Sequence, residues 1–170
     1  MPDIFVVMGV SGCGKSTVGA KLAAALGVPF LEGDGLHPAR NVARMAAGFA
    51  LSDEDREGWL RSLAERIGQA RQARRGLVLS CSALKRSYRD ILRRGAADIH
   101  FVHLHGEPAL LQARMASRTG HYMPMSLLAS QLETLEPPGA DENAHTFDVA
   151  SPPEEIVAKA MAKWAPSVAG

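Results

Sequence analysis

Ile4-Phe5-Val6-Val7-Met8 runs directly into Gly9-Val10-Ser11-Gly12-Cys13-Gly14-Lys15-Ser16, and the fold is decided at that junction. Five consecutive apolar residues suit a strand buried on both faces. The next eight match G-x-x-x-x-G-K-[ST], a phosphate-binding loop that has meaning only between a strand and a helix. The helix follows at once: Val18, Leu22, Ala25 and Leu26 recur at helical spacing until Gly27 ends it. Such a loop points successive backbone N–H groups at a chain of phosphates, where a helix N-terminus favours anions. Its glycines let the backbone approach the ligand, Lys15 brings a mobile charge on an exposed loop, and the Ser16 hydroxyl is placed to ligate Mg²⁺. Gly9, Val10, Ser11, Gly12, Cys13, Gly14, Lys15, Ser16 and Thr17 are therefore the expected triphosphate-binding segment.

The rest of the chain is consistent with one α/β domain over residues 1–170. At 170 residues, 46% of them hydrophobic, it can bury a full core. Nineteen basic and 18 acidic side chains leave a net charge of +1, which supplies no general field for nucleic acid or a membrane surface. Cys13 and Cys81 have neither metal-ligand nor disulfide spacing, which suits a reducing cytosol. Cys81 ends an apolar run and is expected to be buried. No apolar stretch long enough to span a bilayer and no leader pattern is visible, so a soluble cytoplasmic protein is expected.

Short apolar runs alternate with helical patterns, the signature of a parallel sheet covered by helices on both faces. Strands are expected at roughly 3–8, 28–32, 77–81, 99–104 and 145–149, five in all. Helices are expected at about 15–26, 38–47, 53–74, 86–94, 107–118, 125–135 and 153–164. The third is the clearest: Ser52 stands as N-cap, Asp53, Glu54 and Asp55 fill the first turn, and Leu60, Leu63 and Ile67 share a face. Two segments fall outside the alternation. The polar stretch 33–58 reads as a substrate-binding insert, and 119–124, broken by Gly120 and Pro124, as a mobile lid.

Phosphoryl transfer needs a held triphosphate, a placed Mg²⁺, an aligned acceptor hydroxyl and neutralised charge. Glu32 and Asp34 close the second strand, whereas the third, Leu77-Val78-Leu79-Ser80-Cys81, ends without the acid that many ATPases place there. Glu32 is left to support the metal, and Asp34 to support it or to accept the proton of a substrate hydroxyl. Arg114 and Arg118 share a helix face four residues apart, a repulsive spacing that a nucleotide phosphate would relieve. Arg118, at the lid's edge, is the candidate for transition-state charge, and Arg114 for stacking on adenine. Lys85 and Arg89 are candidates for a substrate carboxylate. His37, Asn41 and Arg44 share one side of the second helix, a face suited to a polyhydroxylated acid.

Further motifs then stand in order. They are Asp34-x-x-His37-Pro38-x-x-Asn41-x-x-Arg44-Met45, Leu51-x-Asp53-x-Asp55-Arg56-x-x-Trp59-Leu60, Cys81-Ser82-Ala83-Leu84-Lys85-x-x-Tyr88-Arg89-Asp90, Gly120-His121-Tyr122-Met123 and Ser130-Gln131-Leu132-Glu133-x-Leu135-Glu136. From the first strand to about residue 150, this resembles the gluconokinase family of phosphate-loop kinases, near shikimate and adenylate kinases. The resemblance implies a three-layer fold with a parallel five-stranded sheet, a closing lid and commonly a homodimer. It implies transfer of phosphate from ATP to the 6-hydroxyl of D-gluconate, with Mg²⁺ required. On that basis Lys15, Asp34 and Arg118 are the catalytic residues, and His121 joins Asp34, His37, Asn41, Arg44, Lys85 and Arg89 around the substrate. Ser16 and Glu32 serve the metal. Arg44 replaces a usual lysine, Ala50 and Gly58 replace frequent prolines, and Gly35 replaces a larger residue. A kinase for another small hydroxy acid, such as shikimate, stays open at this point. So does a nucleotide-dependent switch, although no N-K-x-D pattern is present.

Overall fold

A computed structural model of the chain describes residues 2–117 and 126–164. Arg118, His121 and the lid segment 119–124 lie outside the described residues. The elements run β1 (Ile4–Met8), α1 (Lys15–Leu26), β2 (Phe30–Glu32), α2 (Ala39–Ala46), α3 (Asp53–Gln72), β3 (Leu77–Ser80), α4 (Arg86–Leu92), β4 (His100–His105), α5 (Pro108–Ser117), α6 (Ser126–Thr134), β5 (Ala144–Asp148) and α7 (Pro153–Lys163). Two 3-10 turns, Gly33–Leu36 and Ala140–Glu142, complete the path.

The five strands form one parallel sheet in the order β2-β3-β1-β4-β5. Every residue of β1 is 0% exposed, as its unbroken apolar run requires of a central strand covered on both faces. Neighbours within a strand point to opposite faces. On one side of β4, His100 lies against Trp164 at the end of α7; on the other, the Phe101 ring lies under the guanidinium of Arg93, just after α4. The helices thus make the two outer layers. Among the described residues no helix is long and apolar enough to cross a membrane.

Helix α3 begins as its sequence dictates. Asp55 N–H donates to the Ser52 hydroxyl at 3.1 Å and Ser52 N–H to the Asp55 carboxylate at 3.0 Å, a reciprocal capping box. Such a cap stabilises a helix by about 1 kcal/mol. Trp59, Leu60, Leu63 and Ile67 bury its inner face. The parallel sheet brings the carboxyl ends of β1, β2 and β3 to one edge, Glu32 opposite Ser80 and Val7 beside it. Ligands of open α/β sheets bind there.

Candidate active site

Gly14 (φ 90°) turns the loop into α1, and no side chain caps that helix. The first N–H groups of a helix have no carbonyl partner within it, so α1 opens as an anion seat. The loop is fixed at its start by Gly9 N–H donating to Ser82 O at 3.2 Å, which ties it to the exit of β3. Ser11 N–H donates to the side-chain oxygen of Gln131, 2.7 Å away on α6. Lys15 is only 8% exposed, not the open loop lysine that the sequence suggests. Its ammonium donates to Gly9 O (3.0 Å) and Val10 O (3.2 Å) and stands 3.7 Å from the Asp34 carboxylate. Burial opposes that charge, the carboxylates of Asp34 and Glu32 favour it, and the balance holds its pKa above the ordinary lysine value. Burial pushes the Cys13 and Cys81 thiols up, so both stay protonated.

The acidic corner is built on a close approach. A Cβ on Gly33 would lie 2.0 Å from Ser80 O, so only glycine lets the 3-10 turn after β2 lean on β3. One oxygen of Glu32 accepts from the Ser16 hydroxyl at 2.7 Å and from the Ser80 hydroxyl at 2.9 Å. Glu32 therefore clamps the start of α1 to β3, and supplies from β2 the acid missing at the end of β3. Asp34 accepts from Ser82 N–H at 3.4 Å through one oxygen and faces Lys15 through the other. The described residues hold no cluster of three or more His, Cys, Asp or Glu side chains fit for a metal.

A cavity between the loop and the insert is lined by Lys15, Asp34, His37, Arg56, Ser82 and Gln131, with Ser11, Met45 and Leu51. His37 stacks on Trp59, ring centroids 3.8 Å apart, and Trp59 in turn donates to Gly33 O. Burial lowers the His37 pKa to about 4, against the pull of Asp34 and with the push of Arg56, so the ring enters as a neutral hydrogen-bonding group.

Several other candidates stand away from the cavity. Asn41 is 0% exposed; its amide donates to Asp55 O at 3.0 Å, joining α2 to α3. Arg44 points outward, 3.6 Å from Asp55, and Lys85 pairs with Asp53 at 3.0 Å. Arg89 requires correction. It is 0% exposed, bonded to both Glu142 oxygens and to the carbonyls of Ala83, Leu84 and Glu136, so it cannot meet a substrate. Sequence spacing placed it near the strand's carboxyl end but could not reveal Glu142, which closes over it.

Arg56, Ser82 and Gln131 also line the cavity; the motifs quoted from the sequence contain all three but gave them no role. Gln131 carried a signal, since it shares a face with Leu127 and Leu128, where a polar side chain calls for a partner. Arg114 donates to Val149 O at 2.8 Å, beyond β5.

A family model described as "AAA domain" matches residues 4–138. Thermosensitive gluconokinase of Escherichia coli (strain K12) is 48% identical over 140 residues, covering 82% of this chain and 75% of that protein. Gluconokinase of Gluconobacter oxydans (strain 621H) is 51% identical over 141 residues, 83% of this chain and 79% of that one. The crystal structure of a gluconokinase from Sinorhizobium meliloti 1021 superposes with a TM-score of 0.86 at 51% identity, over 97% of this chain and 93% of that one. With a phosphate loop, an aspartate beside its lysine and a walled cavity in front of both, the chain belongs to the gluconokinase family of kinases.

Proposed function

We propose that the protein transfers the γ-phosphoryl group of ATP to the 6-hydroxyl of D-gluconate, giving 6-phospho-D-gluconate and ADP. The observation that carries this is Asp34, whose carboxylate stands 3.7 Å from Lys15 of the phosphate loop while lining the cavity in front of it. A carboxylate in that position accepts the proton of a hydroxyl that attacks phosphorus. Lys15 and the N–H groups opening α1 neutralise the transferring group, and their preorganisation lowers the barrier. Ser16, backed by Glu32, would hold Mg²⁺, which when bound offsets charge on the β- and γ-oxygens. His37, neutral and stacked on Trp59, offers hydrogen bonds to substrate hydroxyls. Arg118, as a transition-state cation, and His121, as a lid contact, complete the reading from the family resemblance, and Arg114 remains the candidate at adenine. The same resemblance carries a homodimer working in the cytoplasm, and a net charge of +1 fits a small-molecule substrate rather than nucleic acid or membrane.

The test is ADP release with ATP, Mg²⁺ and a panel of hydroxy acids, with the product located by ³¹P NMR. Gluconate should stimulate turnover and carry the new phosphate on its primary carbon. Stimulation by shikimate and none by gluconate would overturn the substrate. Equilibrium sedimentation checks the dimer.

A further inference from the structure

We propose that Arg56 is the cation that receives the carboxylate of the sugar acid and sets the enzyme's preference for acids over neutral polyols. The assignment rests on the reading of a gluconate kinase and goes beyond it by naming the residue that recognises the charged end.

Of the cations near the cavity, most are already committed elsewhere. Arg89 is fully buried and ion-paired with Glu142. Arg44 pairs with Asp55 and Lys85 with Asp53, and neither lines the cavity. Lys15 lines it but belongs to the phosphate loop and faces Asp34. His37 is neutral near pH 7. Arg56 lines this cavity and also a second recess beyond it, walled by Leu51, Leu127, Ser130 and Thr134. Among the described residues it forms no ion pair with any carboxylate. A half-buried guanidinium beside the apolar Met45 and Leu51 has its charge weakly screened, so an anion brought to it is held strongly.

The arginine is also preorganised. Its Nη1 donates to the Tyr88 hydroxyl at 3.1 Å, and its guanidinium lies 5.2 Å from the Tyr88 ring centroid. The Tyr88 hydroxyl donates onward to Asp53, which Lys85 holds. This relay fixes one edge of the guanidinium and leaves its remaining donors for a carboxylate, which arginine can grip with two parallel bonds. Asp34 and Lys15 stand at the phosphate-loop side of the same cavity. Gluconate carries its carboxylate and its primary hydroxyl at opposite ends of one carbon chain, and the cavity offers a partner for each.

The experiment compares gluconate with glucitol, the uncharged polyol of the same carbon chain, in Arg56→Gln, Arg56→Lys and unaltered protein. Turnover gives kcat/KM, and calorimetric Kd is read where glucitol turns over too slowly. Arg56→Gln should lower kcat/KM for gluconate about 10²- to 10³-fold and leave glucitol within about threefold. Arg56→Lys keeps the charge without the planar fork and should fall between the two. KM for ATP should not move, and should Arg56→Gln fold poorly, Arg56→Lys carries the comparison. Equal losses for gluconate and glucitol, or an undiminished preference for gluconate, overturn the assignment of Arg56 alone. Unaltered protein that ignores gluconate overturns the functional reading as well, before any variant is made.

Discussion

Tyr88 and Arg89 are adjacent in sequence, yet they anchor two arginine clusters of opposite character. Arg89 is sealed: Glu142, three backbone carbonyls and the neighbouring Arg93 enclose it, and nothing of it reaches solvent. Arg56, hydrogen-bonded to Tyr88, faces the cavity whose carboxylate, Asp34, stands beside Lys15 and forms no ion pair with Arg56. In one cluster the acid pairs directly with the arginine; in the other Asp53 is reached only through the Tyr88 hydroxyl, and no carboxylate pairs with the guanidinium itself among the described residues. A buried cation with its acid built in holds the fold together, and one left without an acid is available to a ligand. Arginine content near a strand's carboxyl end therefore says little until partners are counted.

The sealed cluster breaks first. Arg89→Met leaves Glu142 buried without its main partner, and removing one member of a buried pair costs about 3–5 kcal/mol. That is a large share of the stability of about 5–15 kcal/mol typical of a domain. Urea unfolding should show the midpoint collapse, and Arg89→Met,Glu142→Met should recover part of it. A small effect in the single variant would mean that the two clusters do not differ as described.

The open site should respond in the opposite way, losing rate and keeping the fold. Asp34→Asn removes the proposed proton acceptor at nearly constant shape, so kcat should fall about 10³-fold while the melting temperature stays close to that of the unaltered protein. If only KM rises, Asp34 binds the acceptor without taking its proton.

The order of legibility follows the range of the interactions. The phosphate loop, β1 and the Ser52 cap were readable because their physics is local: a continuous apolar run, fixed glycine positions, a hydroxyl three residues from its partner. Among the described residues, seven helices and five strands lie close to the expected ranges for the same reason. The Gly33–Leu36 turn was invisible, since its geometry depends on how near Ser80 comes. Arg89 and Arg56 could not be told apart because the residue that distinguishes them, Glu142, is 53 positions from Arg89. Gln131 meets Ser11 across 120 positions, beyond any spacing rule. The expected shared helix face of His37, Asn41 and Arg44 does not form: His37 precedes α2 in extended backbone, α3 covers Asn41, Arg44 turns outward to Asp55, and of the three only His37 reaches the cavity.

Acid separates the two regions by pH window. His37 beside the open site and His103 in β4 both have burial-lowered pKa values of about 4, against 6.5 when unfolded. Protonation thus favours the unfolded chain, so stability is full above pH 6.5 and declines as pH falls towards 4, by about 3 kcal/mol at most for the deeply buried His103. Glu142 behaves differently. Burial raises its pKa, but Arg89, Arg93 and Gly139 N–H overcome that and hold it at about 2, below the ordinary 4.5. Its contribution is complete above pH 4.5 and is lost as pH falls through 2. Denaturant titrations across pH 7 to 2 should show two successive losses. His37→Gln should shrink the first, leaving the share of His103, and Glu142→Gln should remove the second; a single merged loss that neither variant alters would reject this separation.

The smallest effect bears on what positions Arg56. Gly58 lies two residues further along α3, exposed, and an added Cβ there would meet nothing within 4 Å. Glycine inside an exposed helix costs about 0.8–1.0 kcal/mol relative to alanine, through backbone freedom in the unfolded chain. Gly58→Ala should therefore raise stability by about that amount, read as a shift in the urea midpoint at constant slope. The guanidinium of Arg56 is held by Tyr88 on α4 rather than by its own helix. Stiffening α3 should accordingly leave KM for gluconate where it was, whereas Tyr88→Phe, which removes the hydroxyl anchor, should raise it. If Gly58→Ala shifts KM as much as Tyr88→Phe does, the mobility of α3, and not the relay through Tyr88 and Asp53, sets the arginine's readiness.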